Sequence, residues 1–208
     1  MSASPTDMLS QFVHWVGFSP IEYVATVLGL ANVVLIVRRS IWNYPFGLAM
    51  VALYGWVFLG ERLYSDALLQ VFFFVVQIYG WWNWQRSRTE AGEVAVRRLT
   101  PRAWHAWLLG CLVATALWGA MMHALTDAHF PWWDGGIAML SVAAQILQSR
   151  RYLESWLLWI MVDLLAIPLF AVKGLLPTTG LYVIFLALSV TGFFQWRGAA
   201  RARARAAA

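Results

Sequence analysis

The chain has 208 residues, 61% of them hydrophobic and 12% charged, with a mean hydropathy of +0.63 and a formal net charge of +5. A soluble domain carries about a quarter charged residues, so this composition excludes one and indicates a polytopic membrane protein. The surplus of arginine falls between apolar runs, which makes it a mark of membrane topology and not of nucleic-acid binding.

Residues 1–20 form an N-terminal interfacial segment in which Met8, Leu9, Phe12, Val13, Trp15 and Val16 follow a helical stripe suited to lying on a bilayer. Asp7 in place of a basic leader, and the short apolar run before Pro20, argue against a cleavable signal peptide. Apolar runs long enough to cross the hydrocarbon core follow at 21–37, 42–60, 66–84, 104–125, 132–149, 155–172 and 178–196. They are continuous and not alternating, so they predict an all-α protein with seven transmembrane helices and no strands. Gly60-Glu61-Arg62, Thr126-Asp127 and Lys173-Gly174 supply turns.

Assigning the connections alternately to two sides gathers every arginine on one side except Arg62, with Lys173 also opposite. The positive-inside rule then places the N-terminus outside and the C-terminus in the cytoplasm. The basic stretch at 197–208 is read as a cytoplasmic tail resting on anionic lipid headgroups.

A shift of 112 positions carries Arg38-Arg39 onto Arg150-Arg151, Phe58 onto Phe170, Phe73 onto Phe185, Gly80 onto Gly192 and Trp84 onto Trp196. Two three-helix bundles emerge, at 21–84 and 132–196, each with an Arg pair after its first span and Gly-x-x-x-Trp closing its third. Both Arg pairs lie on the same side, so the repeats are parallel. The segment 85–131 must therefore hold a cytoplasmic loop and a linker helix that returns the chain across the membrane, giving a 3+1+3 arrangement.

Asp163 is the only carboxylate deep within an apolar span, and Trp156 and Trp159 precede it at i−7 and i−4 on one helical face. Indole faces attract cations, and an ionisable group at membrane depth marks a functional-site hypothesis. The competing reading of the two tryptophans is packing or interfacial anchoring. Gln70 and Gln77 share one face of the third span, with Asn83 further along, and Gln145 and Gln148 lie three apart on the fifth. Gln77 and Gln145 suit a sugar hydroxyl or a carboxamide, or they join helices to one another. Asn43 stands before Pro45, either as a ligand contact or as a helix cap.

His14, His105, His123 and His129 have no metal-ligand spacing, and the single Cys111 excludes an internal disulfide. Neither a metal nor a cofactor is expected. The sequence carries no phosphate-binding loop and no nucleophile with a plausible base, so ATP-driven transport by this chain alone is not supported.

From about residue 20 to residue 197 the chain resembles the bacterial Pnu-type vitamin transporters. In the first half the resemblance rests on Asn43-Tyr44-Pro45-Phe46-Gly47-Leu48, on Leu68-Leu69-Gln70-Val71-Phe72-Phe73-Phe74 and on Gln77-Ile78-Tyr79-Gly80-Trp81. In the second it rests on Trp133-Asp134, Leu140-Ser141, Arg150-Arg151-Tyr152 and Glu154-Ser155-Trp156-Leu157-Leu158-Trp159. The family pattern Trp-x-x-Trp-x-x-x-Asn/Asp falls on Trp156, Trp159 and Asp163, with Asp where several nicotinamide riboside transporters have Asn. The last span also lacks the Asn-Gly-Ser stretch of some members.

The resemblance implies a broken SWEET-type fold, commonly trimeric, and facilitated diffusion of a small cationic vitamin that a cytoplasmic kinase then traps. Nicotinamide riboside carries a pyridinium and thiamine a thiazolium, so either fits between indoles beside an acid. The expected function is therefore import of nicotinamide riboside, with thiamine the alternative and riboflavin, which has no permanent cation, a distant third. Trp156 and Trp159 would stack the ring, Asp163 would meet its charge or a ribose hydroxyl, and Gln145, Gln77, Gln70 and Asn43 would complete the polar contacts. An intramembrane enzyme or a non-translocating sensor is the competing class, for which the sequence supplies neither a second reactive group opposite Asp163 nor an output domain.

Overall fold

A computed structural model describes residues 20–60, 64–87, 94–126 and 129–206. The expected interfacial segment lies outside the described residues. Among the described residues seven helices run in chain order: α1 (Pro20–Val37), α2 (Asn43–Gly60), α3 (Tyr64–Gln85), α4 (Pro101–Leu125), α5 (Pro131–Ser149), α6 (Ser155–Val172) and α7 (Leu176–Ala206). No strand occurs among the described residues, apart from an isolated parallel bridge between Arg97 and Tyr152.

By length and composition, α1, α4, α6 and α7 are each able to cross a bilayer. The other three carry the polar residues singled out above: Asn43 on α2, Gln70, Gln77 and Asn83 on α3, and Asp134, Gln145 and Gln148 on α5. Large apolar side chains such as Trp56, Leu68, Val75, Leu117 and Leu164 stand on the outer surface, as they do in a protein whose solvent is hydrocarbon.

The helix ends follow local chemistry. Thr100 caps α4 by accepting the Ala103 N–H at 3.3 Å, and Pro101 follows where a missing N–H costs nothing, so α4 starts three residues before the apolar run. Helix α7 runs ten residues past the expected span, because Ala and Arg in its last turns rank among the strongest helix formers.

Helices α1, α2 and α3 pack in sequence, as do α5, α6 and α7, and α4 lies against α5. The two groups meet through α1 against α7 and α3 against α5. That pairing is what a two-fold axis relating α1 to α5 and α3 to α7 requires, and the 112-residue offset recurs in detail. Arg39 and Arg151, the second members of the two Arg pairs, both adopt the left-handed conformation, at φ 55° and 67°. In L-residues this costs on the order of 1 kcal/mol, and it turns the Arg39 N–H onto the Ile36 carbonyl and the Arg151 N–H onto the Gln148 carbonyl, both at 2.9 Å.

Those same carbonyls receive the cross-bundle bonds. Trp84 Nε1 donates to the Gln148 carbonyl at 3.1 Å, and Trp196 Nε1 donates to the Ile36 carbonyl at 3.0 Å. Asn83 adds a bond from Nδ2 to the Ser149 carbonyl at 2.8 Å. Each tryptophan also meets an aromatic ring edge-on: Trp84 meets Tyr44 at 5.4 Å, and Trp196 meets Trp156 at 5.6 Å. Tyr44 and Trp156 are themselves 112 positions apart.

Candidate functional site

Helix α6 carries Trp156, Trp159 and Asp163 on its inward stripe, with Asp163 about 12 Å along the axis from Ser155 at 1.5 Å per residue, hence near mid-span. Its first turn begins four residues after Arg151, whose backbone is left-handed.

Trp156 is 1% exposed and belongs to a core shared by the two bundles, with Tyr44, Trp84 and Trp196. Its ring lies so close to Gly192 that a β-carbon there would stand 2.5 Å from Trp156 Cζ2. Gly80 is the counterpart, where a β-carbon would meet Tyr44 Oη at 2.6 Å. Small residues of this kind let membrane helices approach closely, and here each one seats an aromatic ring. The Trp156 indole N–H is buried and has no hydrogen-bond partner among the described residues.

Trp159 is half-buried, touches both aromatic and aliphatic core clusters, and donates its indole N–H to Gln148 Oε1 at 2.6 Å. Asp163 is 3% exposed, and its Oδ2 accepts the Ser189 hydroxyl at 3.0 Å. A carboxylate in such surroundings needs a donor for each lone pair left without water, and Ser189 supplies one. Pro168 lies within α6 and removes one backbone donor. One turn before it, the Leu165 carbonyl accepts the Trp133 indole N–H at 2.9 Å.

The amides take separate places. Gln77 is buried against Gly47 and Asn32, whose Oδ1 is buried without a partner among the described residues, and Gln70 lies beside Gly55. Both therefore face α2. Gln145 is half-buried on α5. Asn43 is buried and donates Nδ2 to the Ser40 carbonyl at 2.6 Å, a local bond at the head of α2.

The structure thus brings Trp156, Trp159 and Asp163 together on α6 and adds Gln148 and Ser189 as their partners. The sequence held a signal for Ser189 that spacing alone missed: it stands 112 positions after Gln77 and occupies the same place in the repeat. Gln148 is the repeat partner of Ile36, an apolar residue, so the offset does not reveal it.

The sequence profile of the family described as "Nicotinamide mononucleotide transporter" matches residues 19–198. The chain belongs to this family. It is 34% identical to the nicotinamide riboside transporter PnuC of Escherichia coli (strain K12), over 88% of this chain and 87% of that one. It is 32% identical to the riboflavin/roseoflavin transporter RibM of Streptomyces davaonensis, over 84% and 83%. A crystal structure described as that of the vitamin B3 transporter PnuC superposes with a TM-score of 0.75 at 30% identity, covering 93% of this chain and 87% of that one. Its family is one of membrane transporters and not of enzymes, and the chain is a multi-pass membrane protein of the bacterial inner-membrane kind.

Proposed function

We propose that this protein imports nicotinamide riboside by facilitated diffusion, with Trp156, Trp159 and Asp163 forming the centre of its binding site. The observation that carries the reading is a buried carboxylate at mid-span on the same stripe as two indoles, in a chain 34% identical to a nicotinamide riboside transporter. A pyridinium held against an indole face gains about 2 kcal/mol once desolvated, and Asp163 offers either a counter-charge or an acceptor for a ribose hydroxyl. Gln148, already bonded to Trp159, fixes the plane of that indole. Gln145, Gln77 and Gln70 are assigned to the polar edges of the ligand, and Asn43 to the approach at the head of α2.

Trp156 lies in the core that its own bundle shares with Tyr44 and Trp84 of the first bundle, so it reaches a ligand only when the two bundles part. Rocking about the paired Trp84 and Trp196 bonds, in the manner of a SWEET-type carrier, supplies that opening. The N-terminus is assigned to the outside and the C-terminus to the cytoplasm, consistent with the gathering of arginines at one end. Domain limits at 1–20, 21–84, 85–131, 132–196 and 197–208, a trimeric assembly and trapping by a cytoplasmic kinase complete the proposal.

Riboflavin is the second reading, favoured by the 32% identity to a riboflavin/roseoflavin transporter. Counterflow in proteoliposomes separates the readings. Vesicles preloaded with unlabelled nicotinamide riboside should accumulate the labelled compound, whereas riboflavin or thiamine should give little exchange. Exchange of riboflavin or thiamine alone, or of none of the three, would reject the assignment.

A further inference from the structure

The arginine-rich end of the molecule contains a cleft of about 280 Å³ lined by Arg98, Leu153, Glu154, Leu157, Phe193, Arg197 and Arg201. Topology alone accounts for arginines on this side of a membrane protein, but not for their convergence on one cavity. Three guanidinium-bearing side chains line it, and one carboxylate. Glu154 is already engaged, accepting the Leu99 N–H on Oε2 at 3.0 Å and standing 3.9 Å from Arg98 Nε through Oε1.

Arg197 and Arg201 lie one helical turn apart on the extension of α7, so both project along one face toward the loop that carries Arg98. That loop is held in place by a pair of backbone bonds, from Arg97 N–H to the Arg151 carbonyl at 2.8 Å and from Leu153 N–H to the Arg97 carbonyl at 2.9 Å. Nearby, Arg151 Nε is buried and without a partner among the described residues, while its Nη1 donates to the Ala95 carbonyl at 3.3 Å. Burial, then the charges of Arg97 and Arg203, hold the Arg151 guanidinium below its ordinary range. Three guanidinium groups thus converge on one cleft against a single carboxylate, an arrangement suited to an anion.

We propose that this cleft is a phosphate-binding site, taking the phosphate of either a lipid headgroup or a soluble phosphomonoester. Arginine forks match phosphate oxygens in pairs, and the apolar wall of Leu153, Leu157 and Phe193 accommodates whatever carries the phosphate. Leu157 and Phe193 directly follow Trp156 and Gly192 in sequence, so an occupied cleft braces α6 against α7 beside the candidate transport site.

The test follows thermal unfolding of the full-length protein in two settings. In detergent, the probe is inorganic phosphate against chloride at equal ionic strength. In nanodiscs, phosphatidylcholine alone is compared with phosphatidylcholine containing phosphatidic acid. Phosphate should raise the unfolding temperature of the wild type. An R197Q/R201Q double variant, and R98Q separately, should lose about tenfold or more in apparent affinity, whereas R205Q, outside the cleft, should not. A response to phosphatidic acid alone, lost in the same variants, supports the site and identifies the lipid as its source. No response to either probe, or a response that survives in the double variant, overturns it.

Discussion

Trp84 and Trp196, 112 residues apart, lie with ring centroids 5.7 Å from each other, and each donates its indole N–H to a backbone carbonyl of the opposite bundle. Neither carbonyl depends on the indole alone, since Arg151 N–H also reaches Gln148 and Arg39 N–H also reaches Ile36. Replacing either tryptophan with phenylalanine should therefore cost about 1 kcal/mol, the worth of a hydrogen bond whose acceptor keeps another donor. Alanine should cost about 3–5 kcal/mol through the cavity it leaves. Denaturant titration in detergent checks both. Equal losses at the two positions are expected from the two-fold relation, and the double phenylalanine variant should not be additive, because the rings touch.

Gly192 should tolerate no side chain. A β-carbon there would press on three Trp156 ring carbons at 2.5–2.6 Å, and that ring is fully buried with nowhere to retreat. Gly192→Ala should destabilise by about 1–3 kcal/mol, as overpacking does. It should also weaken nicotinamide riboside binding, because Trp156 is displaced. Gly198→Ala, with open space around it, should leave thermal unfolding undiminished.

Asp163→Asn separates charge from shape. The amide oxygen still accepts the Ser189 hydroxyl, so stability should change by less than about 1 kcal/mol. Affinity for cationic nicotinamide riboside should fall about tenfold, as expected for loss of a charge partner in a desolvated site. Any binding of uncharged riboflavin should be unaffected. Fluorescence titration with the two vitamins reports both.

Lys173 and Asp134 form an ion pair at 2.9 Å that joins the end of α6 to the start of α5. Both side chains remain partly exposed, at 30% and 45%. Asp134→Asn should accordingly cost under about 1 kcal/mol, and less still at high salt. A calorimetric scan at two salt concentrations would show it.

Much of this architecture was legible in the sequence, because the signals behind it are local or periodic. Apolar runs gave the helices within a few residues, and the offset of Arg38-Arg39, Gly80 and Trp84 from their partners anticipated contacts that the fold then makes in duplicate. The helical spacing of Trp156, Trp159 and Asp163 placed them on one stripe for the same reason. What stayed hidden depends on contacts between helices. Nothing in the run Gln145-Ile146-Leu147-Gln148 indicates that Gln148 holds Trp159, nor that Asn43 directs its amide to Ser40. The burial of Trp156 under Gly192 was equally unreadable, since it follows from how closely α6 and α7 approach. The helical continuation through Arg197–Arg205 was missed as well, because a limit set by hydrophobicity stops where the membrane does, although helix propensity does not.

The central claim is that a cationic ring is bound by Trp159 and Asp163 at mid-membrane, and calorimetric titration of the purified protein with nicotinamide riboside tests it most directly. Wild-type protein should give saturable binding, and Trp159→Ala should abolish it while thermal unfolding shows the variant still folded. Saturable binding that persists undiminished in the folded Trp159→Ala protein, or its absence from the wild type, would contradict the account.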